Sequence, residues 1–182
     1  MKPRLYLSFL FGALLASGAM AAVFFFSTEL VNRLPMRVQP YALWLPMPFF
    51  FLAGALAGWG CRGGWIGVNT FGLSALLPGF WVPTAMMGTQ GASRAIDVWM
   101  LTAGVPTAAY FVAGCLGAGA SFRSWRGAFA VGLGFAAGAI LGPVVAWIAR
   151  PSAESFRLPL SMLVWALPWL CASLGAGWTS RE

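Results

Sequence analysis

The chain has 182 residues, of which 60% are hydrophobic and only 8% are charged, so water cannot be the solvent for most of its surface. Its 11 basic and 4 acidic residues give a net charge of +7 and lie between long apolar stretches or at the ends of the chain, and histidine is absent. These features exclude an ordinary soluble domain and remove most of the side chains from which catalytic and metal sites are built.

Six apolar segments are each long enough to cross a hydrocarbon core of about 30 Å as an α-helix. Helices are required because unpaired backbone amides and carbonyls are not tolerated in lipid. The connections leave no room for a separate soluble domain, so we expect one all-α transmembrane domain over residues 1–182, a polytopic bundle of six transmembrane helices. The predicted spans cover residues 5–27, 40–60, 64–87, 98–120, 126–149 and 159–178.

The first segment resembles a secretory signal peptide in its basic start and in its small residues at Ala19 to Ala21. Its apolar run does not stop there but continues through Val23 and three phenylalanines, long enough to span. We therefore expect a retained first helix that also targets the chain to the membrane.

Charge placement indicates the orientation, and tryptophan placement is a separate check on the spans. With the N-terminus inside, six basic residues lie inside and five outside, a small bias that favours a bacterial inner-membrane protein with both termini in the cytoplasm. Tryptophans near both predicted membrane boundaries form the aromatic belts expected there. The inner belt is Trp59, Trp65, Trp125 and Trp178, and the outer belt is Trp44, Trp81, Trp99, Trp147 and Trp165. Trp169 lies about one turn deeper than either belt and is the exception.

The chain shows signs of an internal repeat. The start of the third span matches the fifth at Arg62-Gly63 and Arg126-Gly127, and Phe71 then aligns with Phe135 and Phe11. We interpret this as three parallel helical hairpins over residues 1–61, 62–122 and 123–182. Chance alignment of segments rich in glycine, alanine and leucine is the alternative.

Glycines spaced four residues apart predict close helix packing, because small residues let helix backbones approach in lipid. Packing within the bundle is favoured over a dimerisation face. The glycines are Gly54, Gly58, Gly134, Gly138 and Gly142.

Polar side chains within the apolar segments are candidates for binding a ligand. A buried amide in lipid must find a partner, so Asn69 is expected to face another helix or a ligand. Pro106 predicts a kink that, with its polar neighbours, makes the fourth span a candidate cavity wall. The candidate set is Asn69, Thr70, Ser74, Thr102, Pro106, Thr107 and Tyr110.

Each outer connection carries an acid close to an arginine. At three- or four-residue spacing such groups can pair on short helices, either as ordinary solvated loop charges or as a ring of pairs around an outer vestibule. The pairs are Glu29 with Arg33, Asp97 with Arg94, and Glu154 with Arg157.

The composition favours a function without catalysis. No general base, proton relay or metal site is visible, and the three scattered cysteines are best interpreted as apolar fillers, so we expect no enzyme activity, cofactor, metal or nucleic acid. We expect an accessory or structural subunit of a larger membrane assembly, in contact with lipid and other membrane subunits. The alternative is a small transport component that binds an apolar or weakly polar solute or a lipid within the bundle.

Overall fold

The computed structural model describes residues 2–33, 35, 44, 46–61, 64–88, 103–148 and 153–179. These residues contain six α-helices and no strand, which confirms the all-α prediction for this part of the chain. The helices are α1 (Lys2–Arg33), α2 (Met47–Gly60), α3 (Gly64–Gly88), α4 (Val105–Phe122), α5 (Trp125–Ile148) and α6 (Ala153–Thr179).

Prolines and a glycine set several helix boundaries. The 14-residue α2 begins at Met47, later than the predicted residue 40, with Pro46 as its N-cap and Pro48 in its first turn. Proline is favoured in the first turn of a helix because its missing amide would have no partner there. Pro106 likewise lies in the first turn of α4 rather than in mid-span. Gly64 opens α3 with φ of 58°, a left-handed conformation that favours glycine.

The six helices form a closed antiparallel ring. Each helix packs mainly against its neighbours in the chain, and α6 packs against α1. The contacts run in opposite directions along adjacent helices: Gly67 approaches Ser121, whereas Phe71, one turn further along α3, meets Gly117. Every second helix therefore starts at the same end of the bundle.

Among the residues that the structure describes, four helical segments are long and apolar enough to cross a membrane. They cover Pro3–Ala22, Val105–Phe122, Trp125–Ile148 and Met162–Thr179, while Met47–Gly60 is apolar but shorter. The chain is thus an integral membrane helix bundle. Its outward surface fits lipid, because large apolar side chains such as Leu10, Leu73, Leu116 and Leu133 are exposed around the ring.

One end of the bundle, here called the basic end, gathers arginines and exposed tryptophans. Its tryptophans are Trp59, Trp65, Trp125 and Trp178, all at least half exposed. The guanidinium of Arg4 lies 3.7 Å from the centre of the Trp59 ring and donates a 3.2 Å hydrogen bond to the Trp59 carbonyl. This contact links the start of α1 to the end of α2.

One tryptophan of the predicted outer belt lies in the core instead. Trp165 was expected to be interfacial, but only 9% of it is exposed and it belongs to the buried core. Trp169, the exception to the belt, is completely buried. Both face into the ring because α6 turns this side toward its neighbours, whereas Trp147 and Trp81 are exposed as expected. Trp99 lies outside the described residues.

Candidate functional site

The centre of the ring is filled by one aromatic side chain from each helix. Phe135 of α5 is in the middle of this cluster, stacked on Tyr110 at 5.6 Å and edge-on to Trp169 at 5.0 Å between ring centres. Aromatic pairs at such distances and angles attract one another beyond their simple burial. The six side chains, at most 1% exposed, are Phe9, Phe50, Phe71, Tyr110, Phe135 and Trp169.

Three phenylalanines from the odd-numbered helices form a nearly equilateral triangle. The ring centres are 6.0 Å apart for Phe9 and Phe71, 6.4 Å for Phe9 and Phe135, and 6.3 Å for Phe71 and Phe135. The sequence alignment placed Phe11 in this set, but Phe11 is 56% exposed on the outside of α1. Phe9 takes the inner position because two residues are about 200° apart around a helix.

Three polar atoms are buried in the core without a hydrogen-bond partner among the described residues: Thr107 Oγ1, the Tyr110 hydroxyl and Trp169 Nε1. Thr107 lies one turn before Tyr110 on α4. The Trp169 indole is close to the Tyr110 hydroxyl without meeting hydrogen-bond geometry. Buried groups of this kind are rare, because an unsatisfied donor costs about 1–3 kcal/mol.

The predicted polar residues of α3 do not join this cluster. The Asn69 amide donates a 2.9 Å hydrogen bond to the Trp65 carbonyl one turn earlier in its own helix, on an exposed surface. Ser74 is buried and donates to the Phe71 carbonyl at 3.0 Å, while Thr70 is half-buried.

The polar residue Asn69 of α3 also lies at a different depth in the bundle from Thr107 of α4. Phe71, two residues from Asn69, contacts Gly117, and Gly117 lies ten residues from Thr107 along α4. Because α3 and α4 are antiparallel, Asn69 is level with residue 119, and at about 1.5 Å of rise per residue it is separated from Thr107 by roughly 18 Å along the bundle. The structure therefore brings together Thr107, Tyr110 and buried Pro106, but not Asn69.

The predicted packing glycines lie where neighbouring helices approach most closely. A Cβ added at Gly58 would meet the Gly67 carbonyl oxygen at 2.6 Å, and one at Gly54 would overlap the Phe71 carbonyl. On α5, the Cβ positions of Gly134, Gly138 and Gly142 face Cys171, Leu167 and Val164 of α6. All these contacts join helices of the same chain.

The predicted outer charge pairs fall largely outside the described residues. Arg33 is exposed at the end of α1. Nothing is described of the side chains of Glu29, Glu154 and Arg157, and the segment that contains Arg94, Asp97 and Thr102 also lies outside.

The part of the chain that the structure describes holds no cluster of three or more His, Cys, Asp or Glu side chains. Sequence reasoning missed Phe9, Phe50 and Trp169 as core residues, although the unusual depth of Trp169 was a signal. No protein-family model matches the chain, and neither a curated protein nor a solved structure matches it. Function is therefore inferred from the residues and contacts described above.

Proposed function

We propose that this chain is a non-enzymatic accessory or structural subunit of a larger assembly in a bacterial inner membrane. The observation that carries the proposal is the filled centre of the ring, where six aromatic side chains pack against one another. A bundle whose axis is occupied in this way suits a rigid scaffold better than a conduit. Its apolar outer surface offers area for lipid and for other membrane subunits.

In this proposal all six helices cross the membrane. At 14 residues α2 spans only about 21 Å, less than the hydrocarbon core of about 30 Å. However, α1 and α3 both start at the basic end, so the chain must return between them, and α2 runs in that direction. Both termini then lie on the cytoplasmic side. Reporter fusions at each connection should alternate between compartments, and two successive connections on one side would refute the six-span topology.

We also propose that the chain consists of three hairpins, over residues 1–61, 62–122 and 123–182. Phe9, Phe71 and Phe135 come from the first helix of each hairpin and meet in the triangle described above. The second helices supply the other three core rings, Phe50, Tyr110 and Trp169. The same helix of each hairpin thus supplies the same kind of core ring, as an internal repeat would require, although the first hairpin uses Phe9 instead of the aligned Phe11.

Native mass spectrometry of the chain, tagged at its genomic locus and extracted in a mild detergent, tests the subunit proposal. We expect a complex that contains a different membrane protein at a fixed ratio, and the same ratio from a second detergent. A monomer, or an oligomer of this chain alone, in both detergents would overturn the proposal.

The second candidate function is a transport component that binds a small, weakly polar solute. The unpartnered atoms of Thr107, Tyr110 and Trp169 favour it, because a solute with one or two hydrogen-bonding groups would satisfy them. The test is a thermal-shift screen with neutral hydroxylated and heteroaromatic solutes against wild type and the Thr107→Val, Tyr110→Phe double variant. Stabilisation of the wild type alone would favour transport, and stabilisation of neither would leave the scaffold as the better explanation.

A further inference from the structure

A groove of about 340 Å³ opens at the basic end between α4 and α5, beside the short connection that joins them. Its wall is apolar and includes Leu116 and Ala120 of α4 and Ala128 of α5. The exposed residues Arg123, Ser124 and Trp125 line the groove at the α4–α5 connection, and this end is here called its mouth. An apolar groove with a cation at its mouth is complementary to an acyl chain joined to an anionic headgroup.

Arg123 is the cation at this mouth, and its side chain is exposed. Its backbone closes α4 by donating a 2.9 Å hydrogen bond to the Gly119 carbonyl. Its guanidinium has no hydrogen bond or ion pair with any described residue, whereas that of Arg4 is held by Trp59. Arg123 is therefore available to an external anion.

The backbone conformation at residue 123 does not by itself favour arginine. Its φ of 51° places it in the left-handed region, where a helix most often ends with glycine. A cation is favoured by the helix dipole at this end, but a lysine or arginine in the preceding turn would supply the same charge without the left-handed strain. The position of this charged side chain at the groove is consistent with a role in binding an anion there.

The surroundings place the groove at the level of lipid headgroups. Trp125 is 83% exposed at its edge, and tryptophans at such positions mark the interface between hydrocarbon and water. Ser124 accepts a long, 3.5 Å hydrogen bond from the Gly127 amide, which leaves its hydroxyl proton free to donate. The basic end thus offers a fixed charge and a hydroxyl donor within one turn of the chain.

We propose that this groove binds an anionic phospholipid, with an acyl chain along Leu116 and Ala120 and the phosphate against Arg123 and Ser124. Basic pockets between membrane helices bind the headgroups of anionic lipids in this manner. The proposal requires only that the chain be embedded in a membrane, so it stands whether or not the chain is a subunit of a larger assembly.

The test is native mass spectrometry of the full chain in neutral detergent, titrated with phosphatidylglycerol or phosphatidylcholine of the same acyl composition. We expect tighter binding of phosphatidylglycerol, and about a fivefold loss of that preference in Arg123→Gln, since one basic residue near the surface contributes about that factor. Arg33→Gln, which removes an exposed arginine from the opposite end of α1, is the matched control and should keep the preference.

Two further variants separate lipid binding from folding. Arg123→Gly should keep the melting temperature of the lipid-free protein, because glycine suits the left-handed backbone, yet it should lose the lipid preference. Leu116→Trp should fill the groove and weaken both lipids. An unchanged preference in Arg123→Gln and Arg123→Gly would overturn the proposal. So would equal stabilisation by inorganic phosphate alone, or a protein partner displaced by Leu116→Trp while phosphatidylglycerol binding stays intact.

Discussion

Replacement of Gly138 by alanine gives the most direct test of the helix packing. The added Cβ would overlap the Leu167 carbonyl oxygen and approach the Leu167 carbonyl carbon to 2.6 Å, far inside the usual contact of about 3.5–4.0 Å. The obstacle is backbone, which cannot rotate away, so α5 and α6 must move apart. Overpacking of this kind costs about 1–3 kcal/mol.

Alanine also gains about 1 kcal/mol over glycine in helix propensity, which leaves a net loss of up to about 2 kcal/mol relative to wild type. At about 2–4 °C per kcal/mol for a chain of this size, the melting temperature should fall by up to about 8 °C. The assay is thermal unfolding in detergent, read as the soluble monodisperse fraction. Gly18→Ala is the matched control on α1, because nothing lies within 4 Å of its added Cβ.

A graded series sharpens this test. At Gly142 the nearest atoms are Val164 Cγ1 at 3.1 Å and the Val164 carbonyl oxygen at 3.2 Å, both farther from the added Cβ than the Leu167 backbone is at Gly138, so Gly142→Ala should cost less than Gly138→Ala. If Gly138→Ala melts at or above the temperature of Gly18→Ala, the close approach of α5 and α6 is wrong.

Other residues give further predictions. Phe135→Ala should lower stability by about 3–5 kcal/mol, since it empties the middle of the aromatic cluster, whereas Phe129→Ala on the exposed side of α5 should cost far less in the same melting assay. Burial raises the pKa of the Cys61 thiol from 9.0 to about 12. Between these pH values the folded state therefore binds more protons than the unfolded state, so the free energy of unfolding should fall as pH rises from 9 to 12. This pH dependence, up to about 1.4 kcal/mol per pH unit, should vanish in Cys61→Ala. The same slope in both proteins would mean that another titrating group causes it. Tyr110→Phe should raise stability by about 1 kcal/mol, because it removes a hydroxyl that has no described partner, and a lower melting temperature would mean that the hydroxyl is satisfied.

The positions of the helices could be predicted from the sequence because hydropathy reports depth in a bilayer. The predicted segment 126–149 and the helix Trp125–Ile148 nearly coincide. Proline chemistry explains the late start of α2, since Pro46 caps this helix, which begins at Met47 rather than at the predicted residue 40. Apolar length alone could not reveal that boundary.

The inward faces of the helices were harder to predict. Lipid and core are both apolar, so Phe9 and Phe11 look alike in sequence although one is buried and the other faces outward. Asn69 was expected in the bundle interior, but its amide is satisfied by its own helix, an option that sequence patterns do not distinguish from a contact between helices. Thr107 and Tyr110 were identified by their type and by their spacing from Pro106, whereas the third unpartnered residue, Trp169, could be assigned to the core only from the fold.

Contact between the first and last helices determines when the bundle can be completed. Gly12 of α1 lies against Trp169, and Tyr6 reaches Gly177 near the end of α6. During synthesis the ribosome releases α1 long before α6 exists, so this seam stays open until nearly the whole polypeptide has been inserted. The contact between α1 and α6 also suits circular permutation. A linker from α6 to α1, with a new break at the α2–α3 turn, would make these two helices neighbours in the chain and let them pack early.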